Sequence, residues 1–407
     1  MIEREIAPHV RQVFQQYPVL TLTGPRQSGK TTLCRSTFPE LSYVNLEAPD
    51  ERESAGQDPR GFLSRYPDGV ILDEIQRVPA LTSYIQVQVD EVRRNGQFVL
   101  TGSQQFAVSQ TINQSLAGRT AVARLLPFSL AEARQLSPSH DVDTLLYMGF
   151  YPRLYDQHID PTQGLADYFE TYVERDLRQL SELRNLSTFQ RFVRVCAGRV
   201  GQLLNTQSLG ADLGISHTTV RQWLSLLEAS YIIFLLYPYH GNIGKRLIKS
   251  PKLYFYDVGL AAYLLGIENP KQMTTHPLRG SLFEDCVVME ALKYRYNTGR
   301  TSNLYFYRDS TGQEVDLIYM IAQHPVPIEI KAGQTVVQDF FKGLTHFEKV
   351  IGDLPYGGLL VHGADREFTQ GNVRVAGLRG FSRLLAEIDQ ATRPDQTDPS
   401  TGRSRSR

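Results

Sequence analysis

The stretch TLTGPRQSGKTT, residues 21–32, constrains the fold more than any other. Gly24 and Gly29 bracket four residues, and Lys30 and Thr31 follow at once. Before them Pro18 to Thr23 (PVLTLT) reads as a short buried strand; after them Thr31, Thr32 and Leu33 open a helix. A strand that enters a helix through a glycine-bracketed turn aims several backbone N–H groups at one point, and the helix N-terminus adds positive potential there. That arrangement suits a phosphate chain. Gly24, Pro25, Arg26, Gln27, Ser28 and Gly29 would cradle it, Lys30 would reach the β- and γ-phosphates, the Thr31 hydroxyl would hold magnesium, and Thr32 would close the run. A glycine-rich turn without a ligand is the plainer alternative, and the flanking strand and helix signals speak against it.

The run GVILDEIQ, residues 69–76, supplies the second half of such a site. Val70, Ile71 and Leu72 form a buried strand that ends in Asp73 and Glu74. Asp73 would take the magnesium of bound ATP through water, and Glu74 would orient or deprotonate the attacking water. An ordinary helix N-cap pair is the alternative. A third strand, QFVLTGSQQF (97–106), ends in small polar residues, of which Ser103, then Gln104, would sense the γ-phosphate. Arg119, in SLAGRTAVARLLPFSLAE (115–132), is a candidate arginine finger from a neighbouring subunit, or else a surface residue.

The order of phosphate loop, Asp-Glu strand, polar-ended strand and arginine resembles an AAA+ ATPase over residues 1–150. The wording TGPRQSGKTTL, VILDEIQ, TGSQ, SLAGR and LLPFSLAE, with YFETYVERDL (168–177) and SPKLYFYDVGL (250–260), is similar to a prokaryotic AAA+ "ATP-binding protein" family. Its members carry a C-terminal domain of unknown function with a restriction-endonuclease-like fold. The resemblance implies ATP and Mg2+ as cofactors and self-association, with a ring as the expected form.

Residues 164–235 follow a helical period. In YFETYVERDLRQL, Phe169, Tyr172, Val173 and Leu177 share one face, and Arg175 is a weak sensor candidate. Within 206–232, Leu209, Leu213, Ile215, Val220, Leu224 and Leu227 build a small core, Gly214 makes the turn and Ser216 caps the second helix. With the strands around the basic HGNIGKRLIKS segment this predicts a winged helix over 185–257. His217, Thr218, Arg221 and Gln222 would meet DNA from the second helix, and Lys245, Arg246, Lys249 and Lys252 would grip phosphates from the wing. A lid or protein-contact role is the alternative. Trp223 reads as core.

Further on, SLFEDCVVMEALKYRY (281–296) is a helix with Leu282, Val288 and Leu292 inward. Strands follow at 303–309, 314–321 and 325–333. Asp316 lies on the second, and Glu329 and Lys331 lie two apart on the third, hence on one face. That spacing is the PD-(D/E)xK pattern of restriction-endonuclease-like nucleases, with Glu284 as an extra acid and Val315 where the proline would stand. Two carboxylates, Asp316 and Glu329, would hold magnesium, and Lys331 would position water or offset charge. A helix and the strand GGLLVHG complete an α/β/α unit in which His362 is structural.

The fold class is therefore α/β in three parts: an ATPase domain over 1–155, a helical lid and winged helix over 156–257, and a nuclease-like domain over 258–388, with a disordered tail over 389–407. Formal net charge is zero, so DNA contact must come from a local patch. Cys34, Cys196 and Cys286 are far apart, which argues against disulfides and zinc and fits a reducing cytoplasm. No apolar run approaches the roughly 18 residues of a membrane span, and MIEREIAPHV is too charged for a signal peptide. Two readings remain: an ATP-driven enzyme on DNA, in repair, recombination or defence, which binds, remodels, branch-migrates or cuts it; or an ATP-dependent switch or assembly platform whose C-terminal domain only docks.

Overall fold

Five short strands set the first layer. The computed structural model describes residues 2–103, 115–174, 186–241 and 249–391, with the backbone alone at 172–174. Strands β1 (Val19–Thr23), β2 (Ser42–Asn45), β3 (Val70–Asp73), β4 (Phe98–Gly102) and β5 (Thr120–Arg124) form a parallel sheet in the order β2-β3-β4-β1-β5. β1, β3 and β4 are buried along their whole length, as strands covered on both faces require. On one side Leu20, Leu22, Ile71 and Val99 meet the helices Ala7–Gln16 and Lys30–Thr37; on the other Val19, Val70, Leu72 and Leu100 meet Phe62, Leu81 and Ile85. Because all five strands run the same way, the residues after β1, β3 and β4 share one edge. β1 lies between β4 and β5, so the chain leaves it at the point where strand order reverses, and ligands of open α/β sheets bind there.

The middle of the chain is helical. Helices Leu186–Ala197, Thr206–Leu213 and His217–Ala229 enclose Phe189, Phe192, Val220 and Trp223, with Trp223 packed edge-on against both phenylalanines. Gly214 is left-handed (φ 68°) and ends one helix; the Ser216 side chain accepts from Thr219 N (3.1 Å) and starts the next. Strands β6 (Ile233–Leu236) and β7 (Lys252–Phe255) then pair antiparallel, Ile233 opposite Phe255. After the helix Pro161–Tyr168 the backbone makes a π-type turn over Phe169–Glu174, and Arg175 and Leu177 lie outside the described residues.

A second sheet follows: β8 (Leu304–Arg308), β9 (Glu314–Ile321), β10 (His324–Lys331), β11 (Gly358–His362), β12 (Phe368–Gln370) and β13 (Val373–Gly377), in the order β12-β13-β11-β10-β9-β8. The β10, β11 and β13 pairings are parallel and the rest antiparallel. Helix Lys342–Ile351 packs Leu344 and Phe347 on one face. Helices Arg279–Asn297 and Leu378–Ala391 cover the other, where Leu292, Phe381 and Leu385 meet Leu317, Ile328 and Val361. His362 is buried and bonded to Arg366 O and Ala364 N, a structural placement. The same hydrophobic cluster runs without interruption from Leu126 to Ile388, so the middle and C-terminal parts share a core. A tail beginning at 389 needs correction: the last helix continues to Ala391, and Asp389 is buried against Tyr294, Tyr319 and Arg300. Residues 392–407 lie outside the described residues.

Candidate nucleotide site and a buried charge cluster

The turn after β1 is built by backbone constraint. Gly24 (φ 151°), Gln27 (φ 59°) and Gly29 (φ 90°) all have positive φ, and a Cβ on Gly24 would land 2.0 Å from the Leu125 carbonyl oxygen. Lys30 begins the helix and folds back, donating to Gly24 O (3.0 Å) and Pro25 O (2.8 Å). Burial pulls its pKa down to about 8, against the opposing pull of Glu74 and Asp73. The Thr31 hydroxyl donates to Asp73 Oδ2 (2.7 Å). Two residues that the sequence did not single out converge on the same carboxylate: Tyr43 donates to Oδ2 (2.7 Å), and Thr101 donates to Oδ1. The Arg35 guanidinium lies over the Tyr43 ring, 5.1 Å from its centroid.

Glu74 sits one residue past β3 in a left-handed conformation (φ 60°), which side chains adopt only at a cost. Its Oε2 accepts from Ser103 Oγ (3.1 Å) and from Gln76 Nε2. Lys30, Thr31, Asp73, Glu74 and Ser103 therefore meet as their spacing predicts, while Gln104 lies outside the described residues. A cleft of about 520 Å³ opens against them. Arg26, Gln27, Lys30, Thr31, Thr32 and Glu74 line its polar side; Ile2, Phe128, Leu136 and Pro152 line an apolar one. Such a volume is large enough for a nucleotide.

The N-terminal segment clamps the loop from outside. Arg4 is 7% exposed, donates to Ser28 O (2.7 Å) and Leu126 O (2.8 Å), pairs with Glu132 (3.0 Å) and stacks over Phe128. Glu132 is wholly buried and also accepts from Ser129 N and Glu5 N. A single charged residue in an amphipathic N-terminus gives no sequence signal for this role.

Arg119 is placed differently from its neighbours. Val19 N donates to Arg119 O (3.3 Å), so Arg119 lies at the start of β5 beside the start of β1. The phosphate loop leaves the other end of β1, about 13 Å away at roughly 3.3 Å per residue. Its guanidinium is bidentate to Asp90 (2.7 and 2.8 Å). This placement excludes a finger acting on its own chain's site.

In the middle region His217, Thr218, Arg221, Gln222 and Lys249 are exposed, and Lys245 and Arg246 lie outside the described residues. Lys252 does not fit its assignment to a phosphate-gripping wing. It is 2% exposed, donates to Glu284 Oε1 (2.8 Å), pairs with Glu314 and lies over the Phe306 ring. A neutral strand surface around a lysine would carry it to solvent; here two carboxylates from other elements hold it inside.

That contact belongs to a cluster around the nuclease-like residues. β9 pairs with β10 up to Leu317 opposite Ile328, the residues next to Asp316 and Glu329. The β8 register shifts between Tyr305 (opposite Ile318) and Tyr307 (opposite Val315), so Asp316 and Leu317 bulge opposite Phe306. Asp316 Oδ2 accepts from Ile330 N (2.8 Å) and Lys331 Nζ (3.1 Å), and Lys331 also pairs with Glu329 Oε1 (2.5 Å). Burial first and Asp316 second push Glu329 up to about 8. Burial likewise raises Glu284, whose Oε1 accepts from Tyr254 OH (2.5 Å). Asp316, Glu329, Lys331 and Glu284 are thus one neighbourhood, but ammonium groups stand among the carboxylates. Among the described residues no three His, Cys, Asp or Glu side chains form a group that could hold a metal ion. As arranged, Asp316 and Glu329 do not fit the magnesium site their spacing predicts.

An AAA domain family matches residues 16–134, and families described only as domains of unknown function match 139–271 (DUF8612) and 279–381 (DUF4143). Sheet order, phosphate loop and acidic strand end agree with the first match and make residues 16–134 an AAA-type P-loop domain. The chain belongs to the same family as the "Uncharacterized protein Rv2008c" of Mycobacterium tuberculosis: they are 31% identical over 337 residues, 82% of this chain and 74% of that one. "Uncharacterized protein Mb2031c" of Mycobacterium bovis matches to the same extent. "Uncharacterized protein MJ1637" of Methanocaldococcus jannaschii is 22% identical over 60% of this chain and 50% of its own. Among solved structures, the Walker-type ATPase PABY2304 of Pyrococcus abyssi aligns over 64% of this chain and 94% of its own, at 15% identity and TM-score 0.42. AMPPCP-bound DnaA from Aquifex aeolicus aligns over 55% and 86%, at 13% identity and TM-score 0.31. Likenesses at this distance carry no argument about substrate or assembly. No helix among the described residues is long and apolar enough to cross a membrane.

Proposed function

We propose that this chain is an ATP-driven switch that acts on DNA through its middle region. In this reading Gly24 to Thr32 bind the triphosphate, Lys30 neutralises its terminal charge, Glu74 orients the attacking water and Ser103 registers the γ-phosphate. Magnesium arriving with ATP supplies charge neutralisation; Thr31 and Asp73, a hydroxyl and a carboxylate 2.7 Å apart, are donors suited to it. Arg119 serves a neighbouring copy, so a ring or smaller oligomer completes the site.

One observation links the nucleotide site to the helix we read as the DNA contact. Thr23, the last residue of β1 before the phosphate loop, shares a hydrogen bond (3.0 Å) with the Tyr231 hydroxyl. Tyr231 is buried just past the C-terminal end of helix His217–Ala229, whose outer face carries His217, Thr218, Arg221 and Gln222. We read residues 156–257 as a lid and winged helix, that helix as the reading element, and the loop-to-Tyr231 contact as the path by which nucleotide state reaches it. The test is fluorescence anisotropy with duplex, single-stranded and branched DNA at two salt concentrations, together with ATP turnover in each DNA. Salt-sensitive binding that Arg221→Glu weakens, and turnover that DNA changes, support the proposal. Absence of both leaves the second reading, a switch or assembly platform without DNA. The lysine-filled carboxylate cluster favours that second reading for the C-terminal part, which we take as a nuclease-like fold held in a non-cutting arrangement.

A further inference from the structure

Two side chains hold the Glu74 carboxylate, and they differ in what else they can bind. The backbone there is fixed first. Glu74 N donates to Thr101 Oγ1 (3.3 Å), Arg77 N donates to Glu74 O (2.9 Å), and Ile75 is buried, so the single turn Ile75–Arg77 is pinned directly behind β3. With Glu74 in its left-handed conformation, that turn brings Gln76 back beside the carboxylate two residues earlier. Gln76 Nε2 and Ser103 Oγ then both donate to one atom, Glu74 Oε2.

The two donors are not equivalent. A hydroxyl carries a single proton. When Ser103 turns that proton to a γ-phosphate, as its proposed role requires, its bond to Glu74 is lost. Gln76 faces no such competition: Glu74 lines the nucleotide cleft and Gln76 does not. The far end of the amide points the same way. Gln76 Oε1 is buried with no hydrogen-bond partner among the described residues. Turning the amide over would set that oxygen against the Glu74 carboxylate, oxygen facing oxygen. An unsatisfied buried acceptor costs stability, and the arrangement tolerates it while keeping the N–H on Glu74.

We propose that Gln76 is a positioning residue for ATP hydrolysis: its Nε2 holds Glu74 Oε2 when ATP draws Ser103 away, and so keeps the carboxylate aimed at the attacking water. The inference rests on the reading in which Glu74 acts on that water. It gives Gln76 a part in turnover without any contact to the nucleotide.

The test is ATP turnover by the full chain as wild type, Gln76→Met, Gln76→Glu and Glu74→Gln, with the Kd of a non-hydrolysable ATP analogue and the melting temperature of each. Methionine fills similar space without a donor. Gln76→Met should lower kcat about tenfold or more, the scale of one hydrogen bond to a charged group. Nucleotide Kd should stay within about twofold, since the lost interaction is not with bound nucleotide. The melting temperature should fall by no more than about 2 °C, because the same change removes the orphaned acceptor. A glutamine with a purely structural role would do the reverse, losing melting temperature and keeping kcat. The pH profile of kcat separates the roles further. Loss of the donor disfavours the charged carboxylate, so the acid limb should move to higher pH in Gln76→Met, and further in Gln76→Glu, where a second carboxylate faces the first. Should Gln76→Met fail to fold, the acid limb of Gln76→Glu carries the test, and an unmoved limb overturns the proposal. Unchanged kcat and acid limb in Gln76→Met, with Glu74→Gln slow, overturns the role of Gln76 and leaves that of Glu74 standing. Equal turnover by Glu74→Gln and wild type, or none by wild type, overturns both.

Discussion

Moving from pH 7.5 to 9.5 should weaken nucleotide binding steeply, and the cause is one buried amine. Lys30 is 6% exposed, and lost hydration brings its pKa down to about 8, although Glu74 and Asp73 oppose the shift. A bound triphosphate places negative charge beside the amine and favours its protonated form. The free site thus has the lower pKa, binding takes up a proton, and affinity falls as pH rises through 8. If only the charged amine binds, its fraction drops from roughly three quarters at pH 7.5 to about 3% at pH 9.5. Kd then rises about 25-fold, equivalent to about 1.9 kcal/mol at about 1.36 kcal/mol per pKa unit. The second ionisation of a phosphate ester, near about 6, is complete before this window opens. The assay is calorimetric titration of a non-hydrolysable ATP analogue with magnesium at three pH values, each in two buffers of different ionisation heat. Proton uptake near pH 8.5 should appear as a buffer-dependent enthalpy, and Lys30→Arg, which keeps its charge, should flatten the pH profile. A constant Kd across the window, or proton release on binding, would refute the reasoning.

Two further substitutions follow from contacts around the same site. Tyr43→Phe removes one of three hydroxyl donors on Asp73 and should lower kcat by about tenfold or more, since a hydrogen bond to a charged group contributes about 1.5–3 kcal/mol. Nucleotide Kd should hardly change, and a change in Kd alone would count against a positioning role. Arg4→Ala leaves Glu132 buried without its ion pair and frees the Ser28 carbonyl, so urea denaturation should show a loss of about 3 kcal/mol.

The phosphate loop was legible because its parts are consecutive: the strand end, the two glycines and the helix start act through backbone geometry that local sequence dictates. The acidic end of β3 was legible for the same reason, since an apolar run followed by Asp73 and Glu74 describes a strand and its exit. Apolar runs likewise located β9 and β10, and the two-residue step put Glu329 and Lys331 on one face of β10. What the sequence left illegible has a non-local origin. Lys252 looks like a wing residue until Glu284 and Glu314, 32 and 62 positions later, close around it. Asp316 is aimed by a bulge that depends on the β8 register, which no property of β9 announces. The finger candidate Arg119 was judged by its neighbours in sequence, whereas parallel pairing of β5 with β1 decides which end of the sheet it occupies. Tyr43 and Thr101 reach Asp73 only because β2 and β4 flank β3.

Phosphate release from ATP by the full chain, measured beside nucleotide retention for wild type and Glu74→Gln, bears most directly on the central claim that ATP is hydrolysed between the Gly24–Thr32 loop and the end of β3. Wild type should release phosphate, while Glu74→Gln should hold ATP and turn over at least about a hundredfold more slowly, the usual scale for loss of a general base. Equal release by both proteins, or none by wild type, would contradict it.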